Sequence, residues 1–204
     1  MSTAKAKTPA SAARIYEFQI ALREVEPPIW RRFQVRDKTS LGTLHEIVQV
    51  VMGWEDAHMH EFVWGSTHYG PVEPELDLET KDEEKAKLAN LGMKVGDVLG
   101  YVYDFGDNWL HDLQLETILP PAPGVKYPIC LEGERAGPPE DCGSVEGYEN
   151  IVRVLALPPK KRSEDDIELL DWLGDEYDPE VFDIDQVNAQ LALFSMPRGG
   201  WVLA

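Results

Sequence analysis

The side chains able to do chemistry in this sequence gather in a few short stretches. The first is His58-Met59-His60-Glu61. On a strand, His58 and His60 would project on one face, roughly 6.6 Å apart along the chain. Two imidazoles at that spacing can share a divalent metal, since neutral histidine is a common ligand. Plain packing beside Phe62 and Trp64 is the alternative. The second stretch is Asp104-Phe105-Gly106-Asp107-Asn108-Trp109-Leu110-His111. Asp107 and Asn108 suit a turn, where their side chains bond backbone amides and tolerate left-handed geometry. Asp104 and His111 lie on strands near the tip, where the pair could face across the ladder. There an aspartate could fix a histidine tautomer, either for a site or as a buried polar pair. The third is Pro138-Pro139-Glu140-Asp141-Cys142, where two prolines hold the chain extended and present two carboxylates. The candidate pocket is therefore His58, His60, Asp104, Asp107, His111, Glu140 and Asp141, with His58, His60 and His111 as candidate metal ligands. Cys130 and Cys142 are not spaced as a zinc pair, and each reads as a small buried hydrophobe.

These residues need elements to position them. Tyr16, Phe18, Ile20 and Leu22 alternate with polar neighbours, as do Ile29, Arg31, Phe33 and Val35, which predicts two antiparallel strands. Leu44, Ile47, Val48 and Val51 fall on one helical face that stops at Gly53; Thr43, Thr39 or Ser40 would cap it. A third strand is expected over 58–64, a loop over 65–75 and a charged helical segment over 82–91. Val98 to Phe105 and Trp109 to Leu119 predict a hairpin that turns through Gly106-Asp107-Asn108. Residues 126–147 read as loop. Helices are expected over 148–157, from Ser163 onward and over 185–194. The fold class expected is α+β, an antiparallel sheet of about five strands with helices mainly on one face. The domain plan is a tail over 1–14, a single domain over 15–196 with an acidic helical C-terminal part, and a tail over 197–204.

The chain has 204 residues, enough to bury a core without staples. Its formal net charge of -18 argues against a strong overall attraction to nucleic acid or anionic lipid. Arg31, Arg32 and Arg36, interleaved with Trp30 and Phe33, form a local basic patch that could stack single-stranded nucleic acid. They could equally balance the acidic segment between Ser163 and Asp185, which carries eleven carboxylates and no base. That segment reads as a solvated face, a surface for a protein partner or a set of cation sites. No apolar run is long enough to span a membrane, so a membrane is not expected as a partner, and a reducing cytoplasm is the expected compartment.

Several strings occur together in this order: Pro28-Ile29-Trp30-Arg31-Arg32, Gly53-Trp54, His58-Met59-His60-Glu61-Phe62, Tyr103-Asp104-Phe105-Gly106-Asp107-Asn108-Trp109, Pro138-Pro139-Glu140-Asp141-Cys142-Gly143 and Tyr177-Asp178-Pro179-Glu180. Together they resemble the plasmid pRi-type ORF-three-like family, whose members also travel as passengers of bacterial mobile elements. The resemblance spans about residues 15–194. It implies an α+β domain and an accessory or interaction protein, with no established activity to carry over. Family members often have a cysteine where this chain has Gly137, so the resemblance does not support a cysteine-based metal site here. The residues themselves keep a second class open, a metal-dependent hydrolase or nuclease-like enzyme with a His/Asp pocket. The two classes differ in one geometric requirement: an enzyme needs at least three of the candidate side chains in one place.

Overall fold

The computed structural model describes residues 12–72 and 80–195. Eight strands form one sheet: β1 (Ile15–Leu22), β2 (Trp30–Arg36), β3 (His60–Trp64), β4 (Thr67–Gly70), β5 (Lys81–Asp82), β6 (Val98–Tyr103), β7 (Trp109–Leu119) and β8 (Ile129–Glu134). Their spatial order is β5-β4-β3-β6-β7-β1-β2-β8. Every pair is antiparallel except β4 with β5, which is parallel. The fold is thus α+β, but the expectation of about five antiparallel strands is corrected to eight strands in a mixed sheet. The three extra strands have physical reasons to be hidden. β4 and β5 are four and two residues long and carry no apolar alternation. β8 contains Gly133 and lies in a stretch rich in proline and glycine.

Five α-helices accompany the sheet among the described residues: α1 (Leu41–Met52), α2 (Leu88–Leu91), α3 (Ser144–Ala156), α4 (Glu164–Leu173) and α5 (Ile184–Leu191). Ser40 caps α1, its hydroxyl accepting from the Thr43 amide at 3.1 Å, and Gly53 ends the helix in the left-handed region. Residues 82–91, expected as one helix, form the end of β5, a turn and the single turn α2. α3 begins four residues earlier than expected, at Ser144.

One face of the sheet is the core. Tyr16, Phe18, Ile20 and Leu22 of β1, Phe33 and Val35 of β2, and Trp109, Leu113 and Leu115 of β7 pack with Leu44, Ile47, Val48 and Val51 of α1. α5 extends this cover over β8. Two features of α1 stand out within that apolar layer: His45 and Gln49 are buried on its inner face, and buried polar groups need partners. Of the tail expected over 1–14, residues 1–11 lie outside the described residues, as does the tail expected over 197–204. Arg14 is tied down, its guanidinium donating to Asp37 at 3.1 Å.

A candidate metal centre

His58 does not lie on β3 but in the irregular segment between Gly53 and that strand. The segment is fixed through its backbone. The Asp56 amide donates to Gln49 Oε1 at 2.8 Å, with Asp56 in the left-handed region. The Ala57 amide donates to the Tyr103 hydroxyl at 3.0 Å, and the Met59 carbonyl accepts from the Asp104 amide at 2.9 Å. Held on both sides, His58 turns its Nε2 toward three carboxylates: Asp141 Oδ1 at 3.2 Å, Asp104 Oδ2 at 3.7 Å and Glu140 Oε2 at 3.7 Å.

Each carboxylate has its own support. Asp104 opens the β6–β7 turn with a positive φ, and its Oδ1 accepts from the Gly106 amide at 2.8 Å, so only Oδ2 faces the histidine. Glu140 Oε1 accepts twice, from the Glu55 amide at 2.7 Å and from the Tyr103 hydroxyl at 2.8 Å. Burial, reinforced by the Glu140 carboxylate, raises the Tyr103 pKa, so the phenol stays a proton donor. Asp107 Oδ2 accepts from the Gly143 amide at 3.0 Å and so ties the 137–143 segment to the hairpin tip. Asp141 is the open side, with 72% of its side chain exposed.

The decisive atoms are Glu140 Oε2 and His58 Nε2. Both are buried, and neither has a hydrogen-bond partner among the described residues. At 3.7 Å they are too far apart to bond each other. Ligand atoms of His58, Asp104 and Asp141 all lie within 4.8 Å of one another, and Glu140 stands outside that group. The arrangement could therefore hold a divalent cation with one imidazole nitrogen and two carboxylate oxygens.

His60 belongs elsewhere. It sits on the buried side of β3, and its ring stacks on His45 at 3.4 Å between centroids, with the planes 4° apart. His60 Nε2 bonds Glu83 Oε2 at 2.9 Å, and His45 Nε2 bonds Asp56 Oδ1 at 2.8 Å. Gln49 donates to the Tyr101 hydroxyl at 2.9 Å, so that hydroxyl gives its proton to His45 Nδ1 at 2.8 Å. His45 is thereby the neutral Nε2–H tautomer, and burial lowers its pKa. His45, Asp56 and His60 are close enough to suggest a second metal group. However, an imidazole lone pair lies in its ring plane, and two parallel rings do not aim at one ion. His58 and His60 do not share an ion: the irregular backbone before β3 sends the two rings to different partners.

His111 faces inward on β7 opposite Tyr101, away from Asp104. Its Nδ1 donates to the Trp109 carbonyl at 3.0 Å, and burial pushes its pKa down to about 4. The expected Asp104–His111 pair is not formed, because Asp104 lies beyond the last ladder pair, Tyr103 with Trp109.

The three arginines of the first hairpin do not make a common surface. Arg31 is buried, donating to the carbonyls of Val51, Trp30, Glu134 and Arg135 at 2.6–2.8 Å. Arg32 pairs with Glu116 and Glu132, while Arg36 is exposed and lies over the Tyr127 ring. The acidic C-terminal part pairs with other bases, Glu180 with Arg135 and Asp166 with Arg153. Sequence reasoning did not single out Tyr103, His45, Gln49, Asp56 or Glu83. The available signal was the polar pair His45 and Gln49, four residues apart within an apolar helical stripe.

Comparison with known proteins places this chain in a family. A family model described as plasmid pRiA4b ORF-3-like protein matches residues 14–186. The chain is 33% identical over 178 residues to the uncharacterized protein y4hQ of Sinorhizobium fredii (strain NBRC 101917 / NGR234), covering 86% of this chain and 90% of that one. It is also similar to the crystal structure of a protein of unknown function, MM3350, from Methanosarcina mazei Go1. There the TM-score is 0.76 and the identity 38%, with 86% of this chain and 98% of that chain covered. A family match over residues 14–186, with a relative 33% identical across most of both chains, leaves one conclusion: the chain belongs to the plasmid pRiA4b ORF-3-like family.

Proposed function

We propose that this protein binds one divalent transition-metal cation through His58, Asp104 and Asp141. The observation that carries the reading is the convergence of ligand atoms of His58, Asp104 and Asp141 within 4.8 Å of one another, with His58 Nε2 buried and without a hydrogen bond. Desolvated polar atoms cost free energy unless something satisfies them. A cation shared by these three residues would satisfy the imidazole nitrogen. One imidazole with two carboxylates suits manganese, iron(II) or zinc.

A hydrolytic role is the second reading, and the exposed side of Asp141 is what favours it. An ion held from one side keeps a position for water on the other, and a metal lowers the pKa of bound water toward neutrality. Nucleic acid as a direct partner of the first hairpin draws no support from Arg31 and Arg32, whose guanidinium groups already have partners.

The test uses protein purified without a histidine tag and stripped by a chelator. Elemental analysis and calorimetric titration with Mn2+ and Zn2+ should find about one ion per chain. His58→Ala and Asp104→Asn, with unchanged circular dichroism, should weaken binding by about 100-fold or more. A wild type that takes up no ion, or variants that bind as well as it does, would refute the reading. Metal-dependent cleavage of an activated phosphodiester, abolished by His58→Ala, would extend it to hydrolysis.

A further inference from the structure

The acidic C-terminal part takes no part in the His58 centre, and its surface carries more than charge. α4 packs mainly on α3, with Asp166 buried and Leu170 and Leu173 half-buried. Its opposite face holds Glu164, Asp165, Glu168 and Asp171, all exposed. Helical spacing sets Trp172 on that same face, one turn beyond Glu168 and two beyond Asp165. The indole is 52% exposed, and Ile167 at the edge of the face is 49% exposed. Asp166, which turns inward, pairs with Arg153 at 2.7 Å. The four outward carboxylates have no ion-pair partner among the described residues. Past Gly174, Asp175, Glu176 and Asp178 extend the acidic surface and, with Val152 and Leu155 of α3, line a groove of about 480 Å3.

Carboxylates alone keep a helix face in water; an indole left half in water among them gains from a partner, and tryptophan is enriched where proteins meet. The sign of the charge selects that partner. Nucleic acid and anionic lipid would meet carboxylates, and a second copy of this face would set acid against acid. A cationic protein segment is complementary. Arginine suits it better than lysine, because a guanidinium is planar, stacks on an indole and forks toward carboxylates. We propose that the outer face of α4, with the adjoining acidic turn at 175–178, docks an arginine-rich segment of a partner protein, with Trp172 as the stacking anchor and Asp165, Glu168 and Asp171 as its counter-charges. This surface is separate from the His58 centre and does not depend on the metal-binding reading.

The experiment measures fluorescence anisotropy of labelled oligo-arginine and oligo-lysine peptides, each of about eight residues, titrated with the full chain at low and moderate NaCl. The wild type should bind oligo-arginine about threefold or more tightly than oligo-lysine, and added salt should weaken both. Trp172→Ala should lose about tenfold in oligo-arginine affinity, the scale of an interface anchor. Glu168→Gln combined with Asp171→Asn should lose a similar factor. Glu26→Gln, which removes one exposed acid between β1 and β2, should change the affinity less than about twofold. Should Trp172→Ala alter the circular dichroism, the charge variants decide, because Glu168 and Asp171 make no ion pair within the described fold. Absence of binding, equal affinity for the two peptides, or a loss in Glu26→Gln as large as in the α4 variants would overturn the proposal, the last by showing attraction to net charge alone. Self-association of the wild type that Trp172→Ala abolishes would assign the face to a second copy and overturn it as well.

Discussion

Arg31 and His111 show how this molecule buries ionisable groups. Arg31 has no carboxylate among its hydrogen-bond acceptors: its nitrogens meet four backbone carbonyls, and its guanidinium lies 3.9 Å from the centre of the Phe182 ring. One of those carbonyls, Val51, belongs to the last turn of α1, the negative end of the helix dipole. Desolvation lowers the Arg31 pKa to about 10, which still leaves it charged at neutral pH. His111 takes the other course and gives up its charge. Its pKa falls to about 4, against about 6.5 in an unfolded chain. Above pH 6.5 the neutral ring suits both states. As the pH falls from 6.5 toward 4, the unfolded chain gains a proton that the folded one refuses, so stability is lost across that window and levels off below it. The shift corresponds to about 3 kcal/mol. Urea unfolding from pH 7.5 to 4 should show this slope in the wild type and a shallower one in His111→Gln; parallel curves for the two proteins would be evidence against it.

Among the elements, α3 has the most direct hold on the site, because it starts where Glu140 and Asp141 end. Its first turn packs so closely on the preceding segment that a Cβ at Gly147 would stand 1.8 Å from the Cys142 carbonyl oxygen. The Gly147 amide donates to the Gly143 carbonyl at 3.0 Å, and Gly143 donates in turn to Asp107. A methyl group at 147 must push the helix away from this chain of contacts. Gly147→Ala should destabilise the fold by about 1–3 kcal/mol, the range for overpacking, and should weaken metal uptake because Asp141 moves with the segment. Thermal melting and the Mn2+ titration check the two effects. Gly137 is held comparably, its would-be Cβ 2.1 Å from the Met52 carbonyl oxygen, which accounts for glycine at that position in this chain.

For the whole molecule, the relevant quantity is the net charge of -18. Ion pairs such as Arg135–Glu180 and Arg153–Asp166 offset part of the acidic C-terminal region, but the carboxylates far outnumber the bases. Like charges confined to a compact body repel, and added salt screens them over a Debye length that shrinks to about 8 Å at physiological ionic strength. The melting temperature should therefore rise between low and moderate NaCl; a fall would mean that attractive pairs outweigh the repulsion. At this scale the division between sequence and tertiary structure is also clear. The sequence by itself determined the α+β class, the strands β1, β2, β6 and β7, the helix α1 and the hairpin turn, because alternation, helical spacing and turn residues are local signals. It also marked His58, Asp104, Glu140 and Asp141 as candidates. Only the tertiary structure decided that these four meet and that His60 and His111 go elsewhere. The pairing of β4, β5 and β8, the positive φ at Asp56, Asp104 and Asp141, and the Tyr103 hydroxyl linking two distant segments are set by contacts between residues far apart in the chain. No local pattern encodes which carboxylate a histidine will face, because that depends on how a whole sheet brings its loops together.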